Sequence, residues 1–203
     1  MFSYRQFHDE TNIATVVMVT LAELGVQTFD PSLRGQELVI HGLLQHGRFL
    51  EGRGTTLARA VKFLFDRNIQ SQILLDAGRT AALKQRLLTA DPNFDFALVS
   101  DLGSPTSRGL SIESDVRTGN CVMLVESRHA VARLPLHVLL LRSDGDRYVV
   151  MNSATGENHM YSHELLSVHL GTPVSFGAQS FAGLQYLYTG IAIRLNRAPA
   201  HNE

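Results

Sequence analysis

Apolar residues fall into runs separated by glycine, proline and polar turns, and the period of each run points to its element. The first run, Ala14 to Leu24 (ATVVMVTLAEL), is apolar nearly all round. Its β-branched content alone suggests a strand. Its length and the stop at Gly25 favour a buried helix that begins near Ile13, with Thr11 or Asn12 as the cap. Pro31 to Gln45 predicts a second helix, capped by Asp30, with Leu38, Leu43 and Leu44 as its apolar face. After a glycine-rich loop, Gly47 to Gly54, Thr55 or Thr56 caps an amphipathic helix over Leu57 to Phe65. Leu57, Val61, Leu64 and Phe65 share one side of it. Ile69 to Leu75 alternates as a strand does, and Arg79 to Ala90 reads as a helix ended by Asp91-Pro92.

Strands dominate the second half. Phe94 to Val99 predicts a short strand, Ser100 to Gly109 a loop, Ser111 to Arg117 one or two helical turns, and Cys121 to Val125 an apolar strand. In Leu136 to Gly156, His137 opens the apolar strand Val138 to Leu141 and Ser143-Asp144-Gly145-Asp146 turns the chain. The return strand Tyr148 to Met151 ends on Asn152. Ser162 caps a short helix to Leu170, Thr189 to Leu195 is a closing strand, and the chain frays from Ala198. Helices first, then mostly antiparallel strands with a helix between them, is an α+β order. No repeat or composition break divides the chain, which predicts one domain over residues 1–197 and a flexible tail over 198–203.

Composition narrows the functional classes. The chain has 203 residues, 44% hydrophobic, and a net charge of −1. That is enough to bury a sizeable core, and the balanced, scattered charge leaves no electrostatic footprint for nucleic acid. No apolar run reaches membrane-spanning length, and the start MFSYRQFHDE lacks the layout of a secretory signal. These features predict a cytoplasmic protein of bacterial type. A single Cys excludes an internal disulfide framework. Gly47 to Gly54 is not a phosphate-binding loop, because no Lys-Ser/Thr follows it.

The hairpin carries the candidate chemistry. It places His137 and Asn152 opposite each other, or nearly so, and an amide there can fix the imidazole tautomer. That is two thirds of a nucleophile–base–orienter set. Cys121, the one thiol, lies in an apolar strand and reads as core packing. Thr11 or Thr15 would need strong activation to act as a nucleophile. A metal set can be drawn from His8, Asp9 and Glu10 with His137, His159 or His163. Only His159 and His163 have helical ligand spacing, and Tyr161-Ser162 marks a helix start between them. No metal and no cofactor are expected.

This order resembles the papain-like cysteine peptidases, and more narrowly the bacterial double-glycine leader-peptidase family, over about residues 4–170. The resemblance implies a papain-like α+β fold, with an N-terminal helical half packed on a mostly antiparallel sheet. It sets Gln6 at the oxyanion position and Ala14 to Gly25 as the buried central helix. Gly54-Thr55-Thr56-Leu57 through Ile73 becomes the second helix and its strand. Gly119 to Val125 becomes the strand before the histidine, with His137 and Asn152 as base and orienter. The departure is central, since the window for the catalytic cysteine reads Thr11-Asn12-Ile13-Ala14. Spacing from Gln6 puts Asn12 at the nucleophile position, with Thr11 or Ile13 one register away, and strict family spacing makes Ser153 an alternative orienter. The hairpin is also similar to that of arylamine acetyltransferases, whose Arg-Gly-Gly-x-Cys motif is absent from Arg53-Gly54-Thr55-Thr56-Leu57. The expectation is a catalytically degenerate domain that binds a peptide or partner protein in the former active-site cleft. One alternative is an active hydrolase or acyl transferase with a non-standard or substituted nucleophile. The other is a non-catalytic assembly subunit, and the sequence leaves the oligomeric state open.

Overall fold

The computed structural model describes residues 1–6, 12–44, 56–96, 105–127, 136–171 and 181–197. Helix α1 (Asn12–Glu23) is buried at every position from Ile13 to Ala22, which is why its sequence shows no polar stripe. Helix α2 (Leu33–Leu44) starts later than Pro31, because the Asp30 carboxylate accepts from the Ser32 N–H at 3.0 Å and closes a turn there. Its inward residues are Gln36, Val39 and Leu43, whereas Leu38, expected on that face, is exposed. Helix α3 (Leu57–Phe65) has the predicted bounds, yet it buries Leu57, Ala60, Phe63 and Leu64 and leaves Phe65 exposed. Strand β1 (Ile69–Leu75) matches the expectation. Helix α4 (Ala77–Ala90) begins two residues before Arg79, because Asp76 caps it through the Arg79 N–H at 3.1 Å.

The strand expected from Phe94 is not formed over residues 94–96. The Phe94 N–H instead returns to the Asp91 carbonyl at 3.0 Å, and the Phe94 ring is buried. Residues 97–99 lie outside the described residues. A helical turn, Ile112–Val116, precedes β2 (Asn120–Ser127), β3 (Leu136–Asp144) and β4 (Arg147–Asn152). Strand β5 (Glu157–Tyr161) had no apolar signal, because it is an edge strand whose first four residues are exposed or half-buried. Helix α5 (His163–Gly171) follows Ser162, whose hydroxyl accepts from the Leu165 N–H, and β6 (Tyr186–Arg197) is longer at both ends than Thr189 to Leu195.

The strands form one six-stranded sheet in the order β1-β6-β2-β3-β4-β5, with every neighbouring pair antiparallel. The chain is therefore α+β. Alternate residues of the central strands feed two cores. Val122, Leu124, Val138, Leu140, Met151, Ile191 and Ile193 pack against residues of α1 to α4. Met123, Val125, Leu139, Leu141, Val150 and Ala192 pack with Ile112, Val116 and the α5 residues Leu166 and Leu170. Burying each of the Val, Leu, Ile and Met side chains among them stabilises the fold by roughly 1.5–3 kcal/mol. Asp144 pairs with Arg147, so the hairpin forms where the Asp-Gly signal points, with Gly145-Asp146 as its two-residue turn. No described helix is long and apolar enough to cross a membrane.

A half-buried titratable ring packs against the second core. His169 stacks on Phe181 with centroids 4.7 Å apart and meets Tyr161 edge-on at 5.5 Å. Burial holds its pKa below the ordinary 6.5. The unfolded chain therefore takes up this proton before the folded one does. The stability it supports is complete above pH 6.5 and is lost as pH falls through 6.5 and then through the folded pKa. Melting temperature should fall further between about pH 7.5 and about pH 5 for the wild type than for His169→Phe. Equal declines would remove His169 from the account.

Candidate functional site

The site forms where the N-terminal segment, the start of α1 and the open end of the β3–β4 hairpin meet. The segment is tied down along its length. The Ser3 hydroxyl donates to the Gly156 carbonyl, the Arg5 carbonyl accepts from Gln36 Nε2 at 2.7 Å, and the Gln6 N–H donates to the Ser153 carbonyl at 2.8 Å. Gly156 permits this approach. Its φ is +75°, and a Cβ there would lie 2.7 Å from Arg5 Cβ. The anchors bring Gln6 beside the residues that end β4.

His137 enters from β3. Of the two expected arrangements, directly opposite or nearly so, the register gives the second, because Asn152 pairs with Leu139. His137 and Asn152 lie on the same face of the sheet as diagonal neighbours, a separation that long side chains span. Their contact is His137 Nε2 to Asn152 Oδ1, 3.3 Å. Ser153 Oγ also lies 3.3 Å from Nε2, so both candidate orienters reach the same nitrogen. On the other side of the ring, Nδ1 is 3.3 Å from Asn12 Nδ2, at the first residue of α1. Ser153 Oγ donates to Gln6 Oε1 at 3.0 Å. Gln6, Asn12, His137, Asn152 and Ser153 are thus one hydrogen-bonded chain, assembled from positions as far apart as 147 residues.

The network specifies a tautomer. Asn152 Nδ2 donates to the Ala182 carbonyl at 2.8 Å, and its Oδ1 accepts from the Ala154 N–H at 3.0 Å. The face turned to His137 is therefore an acceptor, and Nε2 must carry the proton. In the neutral ring Nδ1 is then a lone pair, to which Asn12 offers its NH₂ group. Tyr186 covers this arrangement with its ring stacked on the imidazole, centroids 5.5 Å apart and planes 4° apart. Its hydroxyl donates to Asn152 Oδ1 at 3.4 Å, and burial pushes its pKa up to about 12, so it remains a neutral phenol. His137, Asn152 and Ser153 are buried, while Gln6 is half-buried and so is Asn12. The network opens toward solvent on the Gln6 and Asn12 side.

This geometry holds a base with its lone pair aimed at position 12, and position 12 supplies an amide. A carboxamide nitrogen has no nucleophilic lone pair comparable to that of a thiolate. The other candidate nucleophiles are placed elsewhere or lack activation. Ser153 faces a protonated nitrogen, gives its own proton to Gln6 and is 0% exposed. Cys121 pairs with Leu141, four residues along the sheet from the pairing of Val125 with His137, or about 13 Å. Burial first, and Asp115 second, push its thiol up to about 12. Thr15 is buried within α1, and Thr11 lies outside the described residues. His159 is in β5 and His163 opens α5, so their spacing is not that of one helix face. Among the described residues no three His, Cys, Asp or Glu side chains cluster in a way that could hold a metal, and His8, Asp9 and Glu10 fall outside them.

Sequence reasoning missed Tyr186. The alternation of Tyr186 and Tyr188 before Thr189 was the available signal for an earlier strand start. It also missed the bond from Ser153 to Gln6, which needs the N-terminal segment in place. No family model matches the chain, and no curated protein matches it. Among solved structures, the Pseudomonas avirulence protein AvrPphB is similar, at 11% identity over 93% of this chain and 90% of that one, with a TM-score of 0.34.

Proposed function

We propose that this chain is a catalytically inert papain-like domain that binds a peptide or partner protein where a peptidase cleft would be. The observation that carries the reading is the 3.3 Å approach of Asn12 Nδ2 to His137 Nδ1. A buried imidazole is supported by Asn152 and Ser153 on one nitrogen and faces, on the other, a side chain that cannot form an acyl intermediate. The residues that meet here are those the resemblance to leader peptidases would assign to oxyanion, nucleophile, base and orienter positions. Hydrogen-bonding groups kept without a nucleophile suit recognition of a peptide backbone, whose N–H and C=O groups need partners once they leave water. The half-buried Gln6 and Asn12 side chains are the contacts an incoming peptide would meet first.

Panning the purified protein against a random peptide library, followed by titration of enriched peptides, tests this. A reproducible sequence preference is expected. His137→Ala, checked for folding by circular dichroism, should weaken the selected peptides about tenfold, the scale of one lost buried hydrogen-bonding centre. Mass spectrometry should find the peptides intact after prolonged incubation. Cleavage products would establish the active-hydrolase alternative, and the absence of any enrichment would leave only an assembly role.

A further inference from the structure

A turn outside the five site residues, buried at Phe181 and Ala182, accepts a hydrogen bond from the Asn152 amide. Phe181 and Leu184 exchange backbone hydrogen bonds at 2.7 and 3.2 Å and close the two-residue turn Ala182-Gly183. Gly183 has a φ of +81°, and Ala182 has a φ of +51° although it bears a Cβ. A left-handed alanine persists only where its surroundings hold it. Here they hold it from both ends. Ala182 is 0% exposed, its N–H donates to Tyr161 Oη at 2.6 Å, and its carbonyl accepts from Asn152 Nδ2 at 2.8 Å. One residue therefore links the last side chain of β5 to the last side chain of β4.

We propose that Tyr161, acting through the strained Ala182 turn, is a positioning residue that orients the Asn152 amide and so fixes the tautomer of His137. The logic is one of donors and acceptors. A reversed Asn152 amide would set its oxygen against the Ala182 carbonyl and its NH₂ against the Ala154 N–H, two mismatches inside a buried site. It would also move the imidazole proton to Nδ1, where it would meet the Asn12 NH₂ group. The Ala182 carbonyl prevents this only while the turn keeps its place, and Tyr161 Oη is what its N–H holds. The inference rests on reading His137 and Asn152 as the site. Its test uses the free protein, so failure of peptide binding and failure of this proposal are separate results.

The measurement is the protonation of the His137 ring nitrogens by long-range proton–nitrogen NMR on ¹⁵N-histidine-labelled protein, above the histidine titration range. The wild type should show Nε2 protonated and Nδ1 bare. Tyr161→Phe should raise the share of the Nδ1-protonated form about fivefold, the equivalent of one ordinary hydrogen bond. Tyr148→Phe, another buried tyrosine on the same side of the sheet, should leave the tautomer unchanged. A purely structural Tyr161 would lower stability without moving the tautomer. If Tyr161→Phe alone does not fold, the same readout is taken in the Ala182→Gly background, where glycine relieves the left-handed strain. An unchanged tautomer in a folded Tyr161 variant, or a wild-type ring protonated on Nδ1, overturns the proposal.

Discussion

Asn12→Cys is expected to convert the site into a reactive thiol centre. Position 12 opens α1, and its side chain already lies 3.3 Å from a histidine nitrogen that the network leaves as a lone pair. A thiol at such a place gains from the imidazole, which can take its proton, and from the helix N-terminus, which favours the anion. Both effects lower thiol pKa values toward ~5, within the range seen beside histidines and helix starts. At pH ~6 such a thiol is ~90% ionised, against roughly 0.3% for an ordinary cysteine near pKa ~8.5, a ratio of about 300. The more acidic thiolate is a poorer nucleophile by about 40-fold for that difference in pKa. The net expectation is alkylation by iodoacetamide roughly tenfold faster than that of a free thiol at the same pH.

Cys121 serves as the internal reference in that experiment. It is 0% exposed with its thiol pushed up to about 12, so it should label slowly in the same sample, and peptide mapping separates the two positions. Adding His137→Ala should slow the new thiol toward the ordinary rate, leaving only the smaller contribution of the helix N-terminus. If the Asn12→Cys protein reacts no faster than glutathione at pH ~6, the imidazole does not face position 12 as a base. The relation between α1 and the hairpin described above would then be wrong.

The sequence made the site's outline readable for a physical reason: its parts carry local signals. The Asp144-Gly145 signal marks a hairpin locally, and the hairpin, turning at Gly145-Asp146, sets His137 and Asn152 on one face of the sheet. The nearly all-apolar run of α1, closed by Gly25, marks a buried helix, and Asn12 falls at its start. What stayed hidden depends on contacts between distant segments. His137 and Asn152 are diagonal rather than directly paired because the two-residue loop is Gly145-Asp146; the same loop one residue earlier, at Asp144-Gly145, would pair them directly, and only the packed sheet decides between the two. Tyr186, Tyr161 and Ala182 sit in stretches whose local pattern says only strand or turn, and their roles arise when β6 and the 181–184 turn come to lie beside β4 and β5. The polar β5 escaped notice because an edge strand needs no apolar face.

Arg142 is the strongest instance, and Arg142→Ala should be the most damaging single change to stability. The residue alternates with Val138 and Leu140 on the face of β3 that meets α1, and it is 1% exposed. Its guanidinium bonds to the Glu23 carboxylate at the end of α1, to Asn158 Oδ1 at 2.5 Å and to the Phe2 carbonyl at 2.9 Å. Burial pulls its pKa below the usual arginine value and Glu23 opposes that pull, so charge and countercharge hold each other in place. Glu23 is otherwise poorly sited, a carboxylate at the negative end of a helix dipole. Removing Arg142 leaves that carboxylate, the Asn158 amide and the Phe2 carbonyl to find other partners, for a loss of about 3–5 kcal/mol. In a chain of this size that lowers the melting temperature by roughly 6–20 °C. The N-terminal segment should loosen with it, because Phe2 loses its anchor upstream of Gln6. Trypsin should then cut after Arg5 faster in the variant than in the wild type under native conditions. Replacing both partners, Arg142→Met with Glu23→Leu, should recover most of the stability, since an apolar pair carries no desolvation cost. A single variant that loses under ~1 kcal/mol, or a double variant as unstable as the single, would show that Arg142 is not what fastens the N-terminal segment to the sheet.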